Sequence, residues 1–599
     1  MYEKFQQLDG SHPWRDVSPN GYIDYPVRYR EGGRVLYFNY LLAKELGLIP
    51  KHHRHRLTPK LEQTILTTFS IQIINEHDQN KGVQLPSPGM ESKLYMATRY
   101  LQSQHKNKQG KTSGDGRSIW NGFIRTERMI FDITSRGTGA TILSPGVQEA
   151  GRPLATGDES IGYSSGLADL EEMLGSAIMS EIFYRKGIPS ERCLAVIDYK
   201  DKTAIGVRTA PNLIRPAHIF RYLKLDNYED LKKSFDYFIQ RQEENGTFEL
   251  PQKGQIRYYK TLEHLAKVYA KLAAVVEEEY IFNWLAWDGD NMLASGALLD
   301  YGSIRQFAAK HNKYRYEDVD RFSTCLSEQR YWARWQMQTF AQVVDYVLTG
   351  QKKNITDFGS DPILEVFDQR FEYERQKRML YRIGFTIEQS EKLITQHQDQ
   401  VDAFRKVINY FEEVKTVKGT RRVPDGIDHP PVFLVRHVLR ELPKYLLKNR
   451  KRKEWTIMPA EKFCKIMAAS YIDRRDLVLT PYREQRALQF QKLYQQLIVA
   501  AGTRPWQMLK EVAKRAAVIN YEHRGTGDGF TWICKESNIP DSSKHRDEFQ
   551  QAVERFIDSQ VLVPGKWKPI RPWELRGNTI RARHLRRMQE TLELYNEAI

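Results

Sequence analysis

The strongest constraint on this chain is a change of hydrophobic period near residue 226. Before it, short runs rich in β-branched and aromatic residues are separated by charged or glycine-bearing turns: Ser118–Ile124, Met129–Ile133, Arg192–Tyr199 and Thr203–Thr209. After it, apolar residues recur at three- and four-residue spacing over long stretches, notably Tyr259–Phe282. Such a division predicts an α+β fold in which a β-rich part precedes an α-rich part. Inside the first part, Leu167, Leu170, Met173, Leu174, Ala177 and Ile178 predict one helix, stopped by Gly187 and Pro189. A shorter helix is expected over Asn39–Leu48, and the glycine-rich stretch 137–166 reads as a long loop.

Composition narrows the class. Of 599 residues 41% are hydrophobic and 28% charged, a globular balance, and 91 Lys plus Arg against 75 Asp plus Glu leave +16. That surplus favours polyanionic company: nucleic acid, nucleotides, phosphates or acidic protein surfaces. No apolar run approaches the roughly 18 residues needed to span a bilayer. The four cysteines, at 193, 325, 464 and 534, form no CxxC pair, which fits reduced thiols. A cytoplasmic protein with no membrane partner is therefore expected. The cluster Lys448-Asn-Arg-Lys-Arg-Lys453, followed by Trp455, reads either as a nucleic-acid patch or as a solvated helix end. His52-His53-Arg54-His55 lacks an acidic or thiol partner nearby, which argues against a metal there.

The densest chemistry lies in WDGDNMLASGALLDYG, residues 287–302. With Ser295-Gly296 as a two-residue turn, Met292 would face Leu299 and Asn291 would face Asp300. An amide oxygen and a carboxylate then meet beside Asp290, a donor set suited to Mg²⁺ or Mn²⁺ holding nucleotide phosphates. The alternative is an ordinary hairpin with polar ends. Gly114-Asp115-Gly116-Arg117 is a tight loop whose backbone N–H groups and arginine suit phosphate. Gly110-Lys111-Thr112 is no P-loop, because His105 stands where that motif requires glycine. Arg208 and Arg215 lie seven residues apart across a proline, so their approach depends on tertiary structure.

Together these motifs resemble the selenoprotein O family, kinase-fold proteins regarded as pseudokinases that act as protein adenylyltransferases. The resemblance runs through GDGR (114–117), SRGTG (135–139), SEIFYRKGIPSERCLAV (180–196), VRTAPNLIR (207–215), DNM (290–292) and LDYG (299–302). It implies a two-lobed kinase-like core with a β-rich N-lobe (106–225) and an α-rich C-lobe carrying the active site (226–350). An N-terminal extension (1–105) would pack on that core, and a helical region (351–599) would follow it. It further implies that Gly114, Gly116 and Arg117 cradle nucleotide phosphates, joined by Arg136, and that Arg208 and Arg215 clamp a terminal phosphate. Asn291 and Asp300 would ligate Mg²⁺ or Mn²⁺, Asp300 also facing the nucleotide, and Asp290 would be the base. ATP would then donate AMP to Ser, Thr or Tyr hydroxyls of proteins.

The chain departs from the family at several points. Arg136 replaces the family's phosphate-contacting lysine, and Ser176 stands where its partner glutamate is expected. Glu172, one turn earlier on the same helical face, is a candidate substitute. Gly157-Asp158 is a candidate for a displaced second phosphate loop. Five residues before Asn291, where protein kinases keep their catalytic aspartate, stands Ala286, which accepts no proton. That weighs against γ-phosphoryl transfer. Two other readings remain: a conventional phosphotransferase using Asp288 or Asp290, and a catalytically weak nucleotide-binding pseudokinase.

Overall fold

The computed structural model describes residues 2–599 except 84–85, 106, 163–164, 252–253, 302–303, 311–313, 316–322, 325, 327, 420–428, 451–453, 537–544 and 596–599. Gly302, Cys325 and the last three residues of the basic cluster thus lie outside the described residues.

Nine described strands form one antiparallel sheet: β1 (Tyr22–Tyr29), β2 (Arg34–Phe38), β3 (Ile71–Ile73), β4 (Leu94–Thr98), β5 (Ser118–Arg125), β6 (Ile130–Arg136), β7 (Ala168–Asp169), β8 (Arg192–Asp198) and β9 (Thr203–Ala210). Their order is β2-β8-β9-β6-β5-β4-β1-β3, with β7 also on β9. The two predicted hairpins, β5–β6 and β8–β9, are joined through β6 and β9, where Thr134 faces Arg208 and Arg136 faces Gly206. Because side chains alternate along a strand, Thr134, Arg136 and Arg208 share one face. Sheet order alone therefore brings two distant arginines together.

That face is covered by the helix Leu170–Arg185, whose Met173, Leu174, Ala177 and Ile178 are buried as the spacing predicts. Gly206 makes the close approach possible, since a Cβ there would stand 2.2 Å from the Met173 sulfur. The helix ends as expected at Gly187 (φ +78°). Ile188 N donates to Phe183 O (2.9 Å) and Gly187 N to Tyr184 O (2.9 Å), a Schellman closure.

The rest is helical. Pro216–Lys224, Tyr228–Glu244, Gln255–Glu278, Glu328–Thr349 and Pro362–Ile383 pack into the main core, while Phe404, Phe411, Phe463, Phe490 and Tyr494 centre a second one. Two expectations are corrected. The long helix predicted to reach Phe282 stops at Glu278, because Tyr280 adopts φ +55°, and Ile281–Phe282 pairs instead with Arg305–Gln306. The 137–166 stretch contains a short helix, Pro145–Ala150, started by its proline and stopped by Gly151 at φ +64°.

Candidate active site

The loop after β4 is built on backbone contact. A Cβ on Gly114 would stand 2.1 Å from the Thr98 carbonyl oxygen, and one on Gly116 2.9 Å from the Ser144 Cα. Glycine is required at both because main chain presses on them. Asp115 turns inward, its Oδ2 accepting from Thr98 N (2.9 Å), Thr98 Oγ1 (2.6 Å) and Trp120 Nε1 (3.0 Å). Thr98 Oγ1 is in turn 2.9 Å from His218 Nε2, and His218 Nδ1 accepts from Arg215 N (3.0 Å). Donor accounting fixes the order: Arg215 N–H donates to the ring, the ring to Thr98, and Thr98 to Asp115. Burial holds His218 well below the ordinary imidazole range, so the ring stays neutral in this relay. The glycine loop and the start of the Arg215-bearing helix are thereby tied together.

Four arginines and four carboxylates meet around this frame. Arg117 makes a forked pair with Glu172 (2.6 and 2.9 Å). Arg136 lies 3.1 Å from Asp300, 3.3 Å from Glu191 and 3.8 Å from Glu172. Arg208 donates to Thr134 Oγ1 (2.8 Å) and lies 3.3 Å from Glu191. Arg215 pairs with Asp290, donates to its carbonyl oxygen (2.8 Å), and packs over the Tyr100 ring. Glu172 thus pairs with Arg117 and lies near Arg136, while Ser176 Oγ bonds the Glu172 carbonyl.

Glu191 is the member sequence reasoning missed. It is 2% exposed, faces Arg136 and Arg208, and accepts the backbone N–H of Asp300 at 3.0 Å. It sits just before β8, in a segment that reads as a turn, and no spacing links 191 to 136, 208 or 300. Only the pairing of β8, β9 and β6 does.

The electrostatics divide the two key aspartates. Burial opposes charge on Asp300, but Arg136, then Arg117, Arg215 and Arg208, outweigh it and hold the carboxyl down at about 2. Burial pushes Asp290 up to about 7, Arg215 pulling against it and the charges of Asp288 and Asp300 adding to it. Arg208 is lowered to about 10 by burial and by Arg136, and it remains a cation at neutral pH. Asp300 adopts φ +66°, a conformation aspartate tolerates better than most residues.

The hairpin register differs by one residue from the predicted one. Met292 pairs with Leu298, Leu293 N donates to Ala297 O (2.9 Å), and Gly296 N donates to Leu293 O (2.8 Å). The turn has three residues, Ala294-Ser295-Gly296, with Gly296 left-handed at φ +76°. This is the turn-plus-bulge form, which uses glycine's freedom in its last position rather than in a two-residue turn. Asn291 Nδ2 donates to Trp284 O (3.0 Å), which turns the amide oxygen away from that carbonyl. Asp290 also accepts from Gln102 (3.3 Å), while Asp288 is buried and accepts from Ser103 N (2.5 Å).

Among the described residues no group of three or more His, Cys, Asp or Glu side chains converges as a metal cage. Asn291 and ionised Asp300 supply hard oxygens. That donor chemistry fits Mg²⁺, which is usually held by one or two protein oxygens together with substrate phosphates.

Other singled-out features take structural partners. His53 Nε2 is 3.1 Å from the Tyr2 hydroxyl and His55 Nδ1 is 3.2 Å from Glu554. Trp455 stacks on Trp506 (4.5 Å), with Arg450 over the same Trp506 ring. Gly157 N donates to Ser165 O (2.7 Å), and Asp158 Oδ1 accepts from Ser160 N (2.9 Å). The described cysteines, 193, 464 and 534, are free and buried. No described helix is long and apolar enough to cross a membrane.

A fold with one large antiparallel sheet, many helices and an arginine–carboxylate cluster is the setting in which the comparisons fall. The family model for the protein adenylyltransferase SelO matches residues 48–517, and the chain belongs to that family. Among curated proteins it is similar to the protein nucleotidyltransferase YdiU of Anoxybacillus flavithermus, 27% identical over 319 residues (49% of this chain, 60% of the relative). Proteins of the same name from Clostridium perfringens (25% over 344 residues; 54% and 60%) and Teredinibacter turnerae (25% over 293 residues; 46% and 54%) are also similar. The matched part spans about 60% or less of these relatives' length.

Proposed function

We propose that this protein is an ATP- and divalent-metal-dependent protein adenylyltransferase that transfers AMP to Ser, Thr or Tyr hydroxyls of proteins. The observation that carries the reading is the gathering of Arg117, Arg136, Arg208 and Arg215 with the carboxylates Glu172, Glu191, Asp290 and Asp300. Membership of the family and the protein nucleotidyltransferase names of its relatives support it. In this reading residues 106–225 and 226–350 are the β-rich and α-rich lobes of a kinase-like core. Residues 1–105 extend the first lobe, and 351–599 form a helical region beyond the second.

The arginines act as the phosphate cage. Forked guanidinium groups match phosphate oxygens in geometry, and their present carboxylate partners hold them in place until a triphosphate competes for them. Gly114, Gly116 and Arg117 lie along the nucleotide, and Arg208 with Arg215 takes its far end. Asn291 and Asp300 hold the cation; Mg²⁺ or Mn²⁺, when bound, neutralises phosphate charge. Asp290 accepts the acceptor hydroxyl's proton. The hydroxyl oxygen bonds to the α-phosphorus, the bond from that phosphorus to the β-phosphate bridging oxygen breaks, and pyrophosphate leaves with its electron pair. A carboxylate pushed towards neutrality by burial is poised for such a role.

The decisive experiment supplies ATP labelled at either the α- or the γ-phosphate with a mixed protein acceptor. Adenylyl transfer labels protein only from the α position and is abolished by Asp290→Ala. Label from the γ position alone sinks the proposal in favour of a phosphotransferase. The pairing of Arg136 and Arg208 with Glu191 favours one second reading, a nucleotide-binding pseudokinase with a self-neutralised phosphate cage. ATP-dependent thermal stabilisation without transfer of either label would support it.

A further inference from the structure

Away from the arginine–carboxylate cluster, the segment around Asn20, the residue after β4, Lys111 and the helix Pro216–Lys224 line an open cavity of about 500 Å³. Its lining holds three cations, Arg99, Lys111 and Arg221, and one carboxylate, Asp230. Asp230 is already engaged, its Oδ2 accepting from Ser18 Oγ (3.0 Å) and Asn227 Nδ2 (2.9 Å). None of the three cations makes a salt bridge among the described residues.

Arg221 is the telling member. It is 5% exposed, yet its hydrogen bonds go to neutral carbonyls, from Nε to Gly110 O and from Nη2 to Asn20 O (3.2 Å). Its remaining terminal nitrogen, Nη1, has no acceptor of ordinary hydrogen-bond geometry. Arg99 likewise spends Nη1 on a neutral carbonyl, that of Lys111. A buried guanidinium whose hydrogen bonds reach no carboxylate is costly, and a second cation beside it adds repulsion. Burial lowers both arginines below their ordinary range, and the charge of Arg221 lowers Arg99 further. Arg221 packs over the Tyr222 ring and feels the charge of Asp230, and Arg99 feels that of Glu76, but burial outweighs these partners, and the cations face a space with Tyr22 and Leu225 on its wall. That volume exceeds a bare phosphate and suits a small molecule, since ligand pockets typically run about 300–1,000 Å³.

We propose that this cavity is a second anion site, which takes a phosphate group through Arg99, Lys111 and Arg221, either free or carried by a small phosphorylated molecule. It shares no lining residue with the cluster of Arg117, Arg136, Arg208 and Arg215. Lys111 lies three residues before Gly114, so an occupant would also hold the segment leading into the glycine loop.

The test is calorimetric titration of the full chain at low salt with inorganic phosphate and, separately, ribose 5-phosphate. The expected result is saturable binding that Arg221→Met and Lys111→Gln each weaken about tenfold or more, as loss of a charge-assisted contact should. Arg208→Met, which removes a cation of the other cluster, retains it. Lys111 is exposed, so its variant reports even if Arg221→Met fails to fold. Tighter binding of ribose 5-phosphate assigns a phosphorylated molecule, and equal affinity assigns the phosphate alone. The proposal is overturned if wild type shows no saturable binding, if Lys111→Gln leaves affinity unchanged, or if Arg208→Met alone abolishes it. None of these outcomes bears on adenylyl transfer, which the labelled-ATP experiment decides separately.

Discussion

At the scale of single residues, an arginine at 136, where the resemblance leads one to expect lysine, is intelligible once Glu191 is seen. A lysine presents one point of charge, whereas the fork of Arg136 reaches Asp300, Glu191 and Glu172 within 3.1–3.8 Å. The forked cation and the Glu191 carboxylate form one unit. Glu191→Gln should therefore destabilise the nucleotide-free protein by about 3 kcal/mol, because a buried ion pair loses one partner. Urea unfolding with and without ATP checks this. In the proposed reading, phosphate replaces the missing charge and the deficit shrinks with saturating ATP. An equal deficit in both conditions would show that Glu191 does not compete with nucleotide. The sequence suggested Glu172, one helical turn from Ser176, because helix spacing is local; Glu191 had no such signal.

At the scale of elements, the glycine loop and the hairpin show how far local pattern carries. The composition of Gly114–Arg117 pointed to tight backbone, and the contacts of Gly114 and Gly116 account for it by packing against Thr98 and Ser144. Gly114→Ala should cost about 3 kcal/mol or more, since its Cβ would overlap a carbonyl that β4 holds in place. Chemical denaturation reads this directly, and a loss under about 1 kcal/mol would mean that the loop yields. The hairpin was legible as a hairpin but not in register. Ser-Gly suits either a two-residue turn or the last positions of a three-residue one, and only the φ of Gly296 and its partner carbonyl decide. The stop at Gly187 was fully legible, because glycine's left-handed preference is a property of the residue itself.

At the scale of the molecule, distant segments secure the site. Glu278 and Glu279, where the Gln255–Glu278 helix ends, pair with Arg382, Arg405, Arg378, Arg436 and Arg524. Tyr280, next in the chain, donates to Glu412 (2.5 Å), and the chain then runs on to Asp290. The helical region is therefore anchored to the segment that carries the aspartates. At the β2 edge of the sheet, Gln550 accepts from Phe38 N and donates to Phe38 O, both at 3.0 Å. A side chain from the C-terminal region thus completes an edge strand that would otherwise expose its main chain. Burial opposes charge on Glu278, but Arg405 and then Arg382 hold it down at about 2. Its stabilisation is present above the ordinary glutamate value and is lost as pH falls towards about 2. Glu278→Gln should be several kcal/mol less stable than wild type at pH 7 by denaturant unfolding, roughly 3–5 for a broken buried pair. The gap should narrow below pH 4, and one that holds constant from pH 7 to pH 3 would contradict the pairing.

Periodicity, turn composition and motif spacing settled what belongs to short stretches of chain: which runs are strands, where the helix after 169 begins and ends, and which charged residues are candidates for chemistry. They work because backbone preference and amphipathic spacing act over a few residues. The meeting of Arg136 with Glu191 and Arg208, the one-residue hairpin shift and the seat of Gln550 on β2 were decided by tertiary structure. Each depends on strand order or on contacts between residues tens to hundreds of positions apart, and burial then sets whether those charges hold one another or stand exposed to a ligand.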